Sequence, residues 1–435
     1  MNRGEQPTTE GEILRWMGII VLGTRFQFGN RRDLWSKTSQ FEYVPPPSFG
    51  KTGLSRNRFD NLWREVRWSY QPPGRPPGMY SEMHRRRLVD NHLNRFNQER
   101  KDFFSPSERV CVDESMSRWY GLGGYWINCG LPQYIAIDRK PENGCEIQTA
   151  GDGDSGIMTV LELVRTAEHE HANIQENDIG IPHSCVVLLK LVKSYFNTGR
   201  IVVADSYFAS VTAALELKKN GLRFIGVVKT ATKQFPLKFL NSIELSSRGE
   251  RRGLVSMGAD GEPELMAFMW MDRNRRFFIA TASCLAEGKP YSRARMRQVN
   301  REPNALPEMV DLKVHQPQAC EIYYSSCGKI DAHNRCRQDD QDVEKKFLTL
   351  DWSKRVNLSI WSMWVVDAWL LYRAALEGTN LPVMCQNEFY TSLAHGLIKN
   401  HFDTAGLRPR SATTLGSRSR AFSSDGKAAG GFDVH

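Results

Sequence analysis

Apolar and polar residues recur along this chain in two different rhythms. Over the first hundred residues the rhythm is helical. Thr9 and Glu12 have capping-box spacing just ahead of an apolar run that begins at Ile13. Ser55 predicts a second N-cap, after which Phe59, Leu62, Trp63 and Val66 share one face. A third helix is expected from about Arg87 to Lys101, with Val89, Leu93 and Phe96 aligned, and it must end before Pro106. The proline-rich stretches YVPPPSFGKTG and QPPGRPPG break the runs between them.

From residue 106 the rhythm shortens. Arg109 to Asp113 reads as a compact strand closing on an acid, and Tyr134 to Asp138 and Ile157 to Val164 read as two more. Ser184 to Phe196 predicts a helix. Arg200 to Asp205 is a strongly apolar strand that again closes on an acid, followed by a helix over Ala209 to Asn220 that Gly221 stops, and by a strand over Arg223 to Lys229. Strands alternating with helices predict an α/β core. Acids at the C-terminal ends of buried strands sit at the edge where such folds place their sites. Between residues 231 and 316 the alternation fails. Leu265 to Met271 and Arg276 to Ser283 read as a hairpin around Asp272, Arg273 and Asn274, inside a β-rich insertion. Helices resume at Pro317, and another runs from Lys354 to Ala375 with Ser353 as its expected cap.

These shifts divide the chain into a helical region (1–105), a core in two parts (106–230 and 317–375), the insertion (231–316), a C-terminal helical segment (376–402) and a tail (403–435). The tail is rich in Gly, Ser, Arg and Ala, a composition that predicts disorder.

Composition narrows the partners. The 435 residues carry a formal charge of +9 with 40% hydrophobic residues, so a sizeable core is available and polyanions are favoured. A moderately basic soluble enzyme is the plainer reading. The polar opening MNRGEQPTTEGE lacks the apolar region of a secretion signal. Ile13 to Phe26 is interrupted by Arg15 and Arg25, and Trp361 to Tyr372 is short and carries Asp367, so no membrane span is expected. None of the nine cysteines forms a CxxC pair, so no zinc site is expected and reduced thiols of the cytosol or nucleus are.

Three acids stand out by context: Asp113 in VCVDESM, Asp205 in IVVADSYFAS and Asp331 in CGKIDAHNRC. Hard divalent cations take carboxylate oxygens, and two such ions can activate a nucleophile and stabilise a leaving oxygen in phosphoryl transfer. Each acid alone reads equally as an N-cap or a surface residue. The residues by themselves support an α/β core with candidate metal carboxylates. GDGDSG at 151–156 lacks the remaining ligands of a calcium loop and reads as a turn. His333 reads as a helix-surface residue, and Trp119 and Tyr120 as core packing or a base-stacking pair. The basic clusters at 84–87, 273–276 and 293–301 read as phosphate contacts or as solvated faces.

Several segments in order resemble the piggyBac transposase family over roughly residues 10–375. VCVDESMSRWYG resembles its first acidic motif, IVVADSYFAS its second and YYSSCGKIDAHNR its third. IDRKPENGCEI resembles a Lys-Pro-rich segment in which Arg139 and Lys140 match best, and GEILRWMGIIVLGT and SRNRFDNLW resemble the family's helical region. The resemblance implies an RNase H-like catalytic core with an insertion between the second and third acids. It implies a helical region serving dimerisation and DNA binding, and a nuclear location. It also implies Mg²⁺ or Mn²⁺ held by Asp113, Asp205 and Asp331, with Asn334 as an uncharged oxygen ligand at the place of a fourth acid, and DNA contacts at Arg139 and Lys140. Members act as dimers on transposon ends, pass through DNA hairpins and join at TTAA sites. Two departures favour a rival reading, a catalytically inactive relic that still binds DNA. Asn334 replaces the fourth acid, and Cys385, His395 and His401 are all that stands where many members carry a Cys/His-rich module. A third reading, a two-carboxylate hydrolase, lacks a suggested acid pair.

Overall fold

The computed structural model describes residues 7–39, 42–68, 81–120, 135–136, 143–164, 180–229, 234–281, 286–297 and 308–402. Helix α1 (Glu10–Gly23) begins as its sequence predicts, with the Thr9 hydroxyl accepting the Glu12 amide. Ser55 caps α2 (Arg56–Glu65) in the same way and buries Phe59, Leu62 and Trp63. Helix α3 (Ser81–Phe103) starts earlier than its apolar stripe suggested.

Eleven strands follow among the described residues: β1 (Arg109–Arg118), β2 (Ile135–Ala136), β3 (Asn143–Asp152), β4 (Met158–Leu163), β5 (Ile201–Ala204), β6 (Arg223–Val228), β7 (Arg251–Met257), β8 (Pro263–Met271), β9 (Arg275–Ala280), β10 (Tyr291–Arg297) and β11 (Glu308–Val314). Helices α4 (His183–Val192), α5 (Val211–Lys219) and α6 (Leu237–Ser242) lie between them. The chain then turns helical through α7 (Gln318–Ser326), α8 (Lys329–Arg335), a π-helical turn (Cys336–Gln341), α9 (Val343–Lys346), α10 (Trp352–Leu376) and α11 (Gln386–Ile398).

One sheet runs in the order β2-β3-β1-β5-β6-β9-β8-β7, with β4 also paired to β3. β1 is antiparallel to β3 and parallel to β5, and β5 is parallel to β6. This mixed α/β arrangement is the RNase H-like core the resemblance implies. The strands of the expected insertion are not set apart from it. β9 pairs with β6, so β7, β8 and β9 extend the core sheet, and only β10 and β11 form a separate two-stranded ribbon.

Three sequence expectations are corrected here. Asp113 does not end its strand. β1 continues to Arg118 because β3, unrecognised in the sequence, pairs with it from Val110↔Asp152 to Arg118↔Gly144. Asp351, not Ser353, caps α10, its carboxylate accepting the Ser353 and Lys354 amides. Pro317 is the cap of α7 rather than its first residue. The DNA contacts expected at Arg139 and Lys140, and the 403–435 tail, lie outside the described residues.

Helices cover both sheet faces. Val110, Val112, Val202 and Phe224 pack against Leu188 and Leu191 of α4 and Leu217 of α5. On the other face Cys111, Ile147 and Met158 meet Val89 and Phe96 of α3, Ile330 of α8 and Val356 and Ile360 of α10. Helix α10 also presents Leu358, Trp361 and Val366 to a second core formed by α1, α2 and α11. A helix apolar on most sides is one buried on most sides. No described helix is long and apolar enough to cross a membrane.

The joint between α3 and α10 is pH-sensitive. Asn357 donates its amide to the Leu88 and Ser353 carbonyls, so its oxygen faces His92 Nδ1 at 3.0 Å and the ring must donate. Trp68 stacks on the same ring at 5.0 Å. Burial, opposed by the Asn357 bond, lowers the His92 pKa from 6.5 to about 4. A depressed histidine pKa means stability that is present above pH 6.5 and lost as pH falls towards 4, on the order of 3 kcal/mol in all. His92→Gln is expected to flatten the fall in melting temperature across that window. Parallel slopes in wild type and variant would show that another group carries the acid limb.

Candidate active site

The parallel register of β1 and β5 sets the first two acids. Val112 pairs with Ala204, so Asp113 and Asp205 are the next residues on neighbouring strands, which lie about 4.8 Å apart. Val110 and Val112 face α4 and α5, so by alternation Asp113 shares the opposite face with Cys111 and Ser115. A backbone amide orients each carboxylate: Glu114 N–H donates to Asp113 Oδ1 at 2.9 Å and Tyr207 N–H to Asp205 Oδ1 at 2.8 Å.

Strand β5 stops at Ala204 while β1 runs on to Arg118, so the far half of β1 lacks a strand on that side among the described residues. Side chains of α8 and the π-helical turn take its carbonyls instead. Asn334 Nδ2 donates to Glu114 O at 3.2 Å, and Arg337 Nη2 and Gln338 Nε2 donate to Met116 O at 2.7 and 2.9 Å. Asn334 Oδ1 accepts the Ser115 hydroxyl at 2.8 Å. Both ends of the amide are thus used to hold α8 against β1. This placement puts exposed Asp331, one turn earlier on α8, at the mouth of a cleft of about 520 Å³.

Glu114, Glu146, Asp331 and Asp339 line that cleft against Arg118 and Arg335, an excess of acid that favours a cation. Burial pushes the Glu146 carboxyl up. The last turn of α7 stands within electrostatic reach of all three expected ligands. Burial, then the fields of Asp113 and Asp331, push the Cys327 thiol up to about 11. Burial also raises the Tyr323 hydroxyl, with Cys327, Asp205 and Asp113 adding to it. The donor set is of the hard carboxylate kind that Mg²⁺ and Mn²⁺ take. In this conformation no group of three His, Cys, Asp or Glu side chains among the described residues closes around a point where an ion would sit.

The family model for the DDE-type Transposase IS4 matches residues 2–369. The chain belongs to the IS4 transposase family. Its fold is similar to that of the piggyBac transposase in a cryo-EM structure of a synaptic complex with hairpin DNA, with a TM-score of 0.65 at 16% identity, covering 94% of this chain and 76% of that one. No curated protein matches the chain.

Other sequence readings now sort themselves within this transposase fold. His333 is not on the surface but fully buried. Trp119 packs in the core, whereas Tyr120 is 40% exposed. Asp152 is the last residue of β3 and holds the turn that follows, its carboxylate accepting the Ser107 and Ser155 amides. Sequence reasoning missed Glu114 and Glu146 in the cleft. Glu114 directly follows Asp113, but β3 had to be recognised before Glu146, opposite Met116, could be placed in the same cleft.

Asn334→Asp replaces a donor with a second acceptor opposite the Glu114 carbonyl. The expected cost is about 1–3 kcal/mol of stability. Denaturant unfolding measures it, and an unchanged midpoint would mean that the amide does not hold α8 in place.

Proposed function

We propose that this chain carries out metal-dependent cleavage and transfer of DNA strands at transposon ends. The observation that carries this reading is the β1–β5 register, which sets Asp113 and Asp205 at one sheet level, with α8, the helix of Asp331, packed on the same sheet face; of the three acids only Asp331 lines the cleft. Asp113, Asp205 and Asp331 would hold Mg²⁺ or Mn²⁺, which when bound supplies charge neutralisation and an activated oxygen nucleophile. The chain's own part is positional. Backbone amides fix the first two carboxylates, and α8 is clamped to β1 by side chains. Water and then a DNA 3′-hydroxyl would serve as nucleophiles. Duplex DNA is the proposed partner, in keeping with the net charge of +9, and the protein would act as a homodimer in the nucleus.

Asp113→Ala, Asp205→Ala and Asp331→Ala are each expected to lower Mg²⁺-dependent cleavage of a transposon-end duplex by roughly 10²-fold or more. Duplex affinity should stay near wild type, because these side chains need not touch the bases. A variant that cleaves like wild type removes its residue from the ligand set.

Affinity for duplex DNA is expected to fall steeply with salt, with a slope of about −4 or steeper in log affinity against log salt. A flat plot would argue against the basic surface as the DNA site.

The rival reading, a DNA-binding derivative without chemistry, is favoured by the open arrangement of the acids and by the engaged Asn334 amide. It predicts the same salt slope and no cleavage with either Mg²⁺ or Mn²⁺.

A further inference from the structure

A buried charge cluster lies directly beneath α8. Asp367 of α10 is 1% exposed, His333 of α8 is 2% exposed and Arg100 of α3 is 2% exposed. Arg100 Nη2 donates to Asp367 Oδ2 at 2.6 Å. Asp367 Oδ1 accepts from the Met158 amide at 2.9 Å and from His333 Nε2 at 3.1 Å. The Arg100 guanidinium lies over the Phe96 and Trp364 rings, 4.5 and 4.7 Å from their centroids. One carboxylate therefore ties together four elements: α3, β4, α8 and α10.

Both Asp367 oxygens accept from N–H donors, Oδ2 from Arg100 and Oδ1 from the Met158 amide. Asp367 thus meets His333 as an acceptor, and Nε2–H is the donor of that contact. His333 Nδ1 makes no hydrogen bond among the described residues. The imidazole thus has one directed contact, and that contact points at Asp367.

Helix α8 has seven residues, too few to hold a position without tertiary anchors. On its inner side the anchors are Ile330, in the apolar cluster, and His333. Asp331 and Asn334 lie on the cleft side. The rotation and height of α8 set where the Asp331 carboxylate stands relative to Asp113.

We propose that His333 and Asp367 are positioning residues: their contact fixes α8 and so places Asp331 for metal binding. The proposal rests on the reading of Asp331 as a ligand. Arg100 contributes by neutralising Asp367, and the Met158 amide by fixing its orientation.

The test is Mn²⁺ binding to the full chain without DNA, counted by electron paramagnetic resonance, beside the Mn²⁺ concentration that half-saturates cleavage. Gln at 333 can place an amide N–H where Nε2 stands, whereas Asn is too short to reach Asp367. His333→Asn is expected to weaken Mn²⁺ binding by about tenfold or more, the scale on which loss of a residue that orients a ligand acts. Duplex affinity should be unchanged, and His333→Gln should recover most of the Mn²⁺ affinity. A purely structural role would lower the melting temperature and leave the Mn²⁺ requirement of the folded protein alone. Folded His333→Asn with wild-type Mn²⁺ affinity overturns the proposal. If His333→Asn does not fold, His333→Leu, which fills the site without a donor, decides by the same readout. Asp331→Ala run alongside separates the two claims. If it binds Mn²⁺ like wild type, the ligand reading falls and takes this proposal with it. If it loses Mn²⁺ while His333→Asn does not, the ligand reading stands and only the positioning role fails.

Discussion

The candidate site depends on a mismatch in length between two parallel strands. β5 has four residues and β1 has ten, and they start in register. The first consequence is that Asp113 and Asp205 follow the last paired residues and share a level. The second is that β1 continues with no described strand on the β5 side, leaving carbonyls that must be satisfied. Side chains from α8 and the π-helical turn meet that demand, and in doing so they bring Asp331 to the sheet. A longer β5 would pair those carbonyls and leave α8 nowhere to dock.

Burying α10 from both sides makes the helical region and the sheet one unit around the site. Its apolar residues serve two cores, and its polar ones hold the connections. Ser359 and Arg337 both donate to Glu344 Oε1, Arg355 donates to the Glu344 carbonyl, and Ser117 of β1 meets Ser359 at 2.7 Å. Removing one partner from a buried charge pair costs about 3–5 kcal/mol, far more than the pair adds over an apolar packing. The ends of the helical layer that carries Asp331 are therefore pinned by directed bonds rather than by apolar contact alone.

What the sequence revealed was local. Thr9 and Ser55 cap their helices as read, because a cap is written within four residues. The two apolar strands before Asp113 and Asp205 were legible because each is apolar enough to be buried on both faces. The extension of β1 was not, since DESMSR looks like a polar cap until β3 is known. β3 itself was hidden by Gly144, Gly151 and Asp152, which are poor strand formers and read as turns. Gly144 has a structural reason: with φ at +155°, a Cβ there would stand 2.0 Å from the Ser117 carbonyl oxygen, so glycine is what lets the two strands close at that end. His333 was misplaced because seven residues carry too little periodicity to say which face of α8 turns inward.

Charge explains why the site and the rest of the protein differ in sign. The whole chain is basic, while the cleft beside Asp331 holds four acids against two arginines. A polyanion would be drawn to the protein by the first field and repelled at close range by the second. Cations between the polyanion and the carboxylates resolve the conflict, because each ion is attracted to both. The acidic cleft within a basic protein is therefore electrostatically consistent with a substrate that approaches as a polyanion and reacts only when divalent ions accompany it.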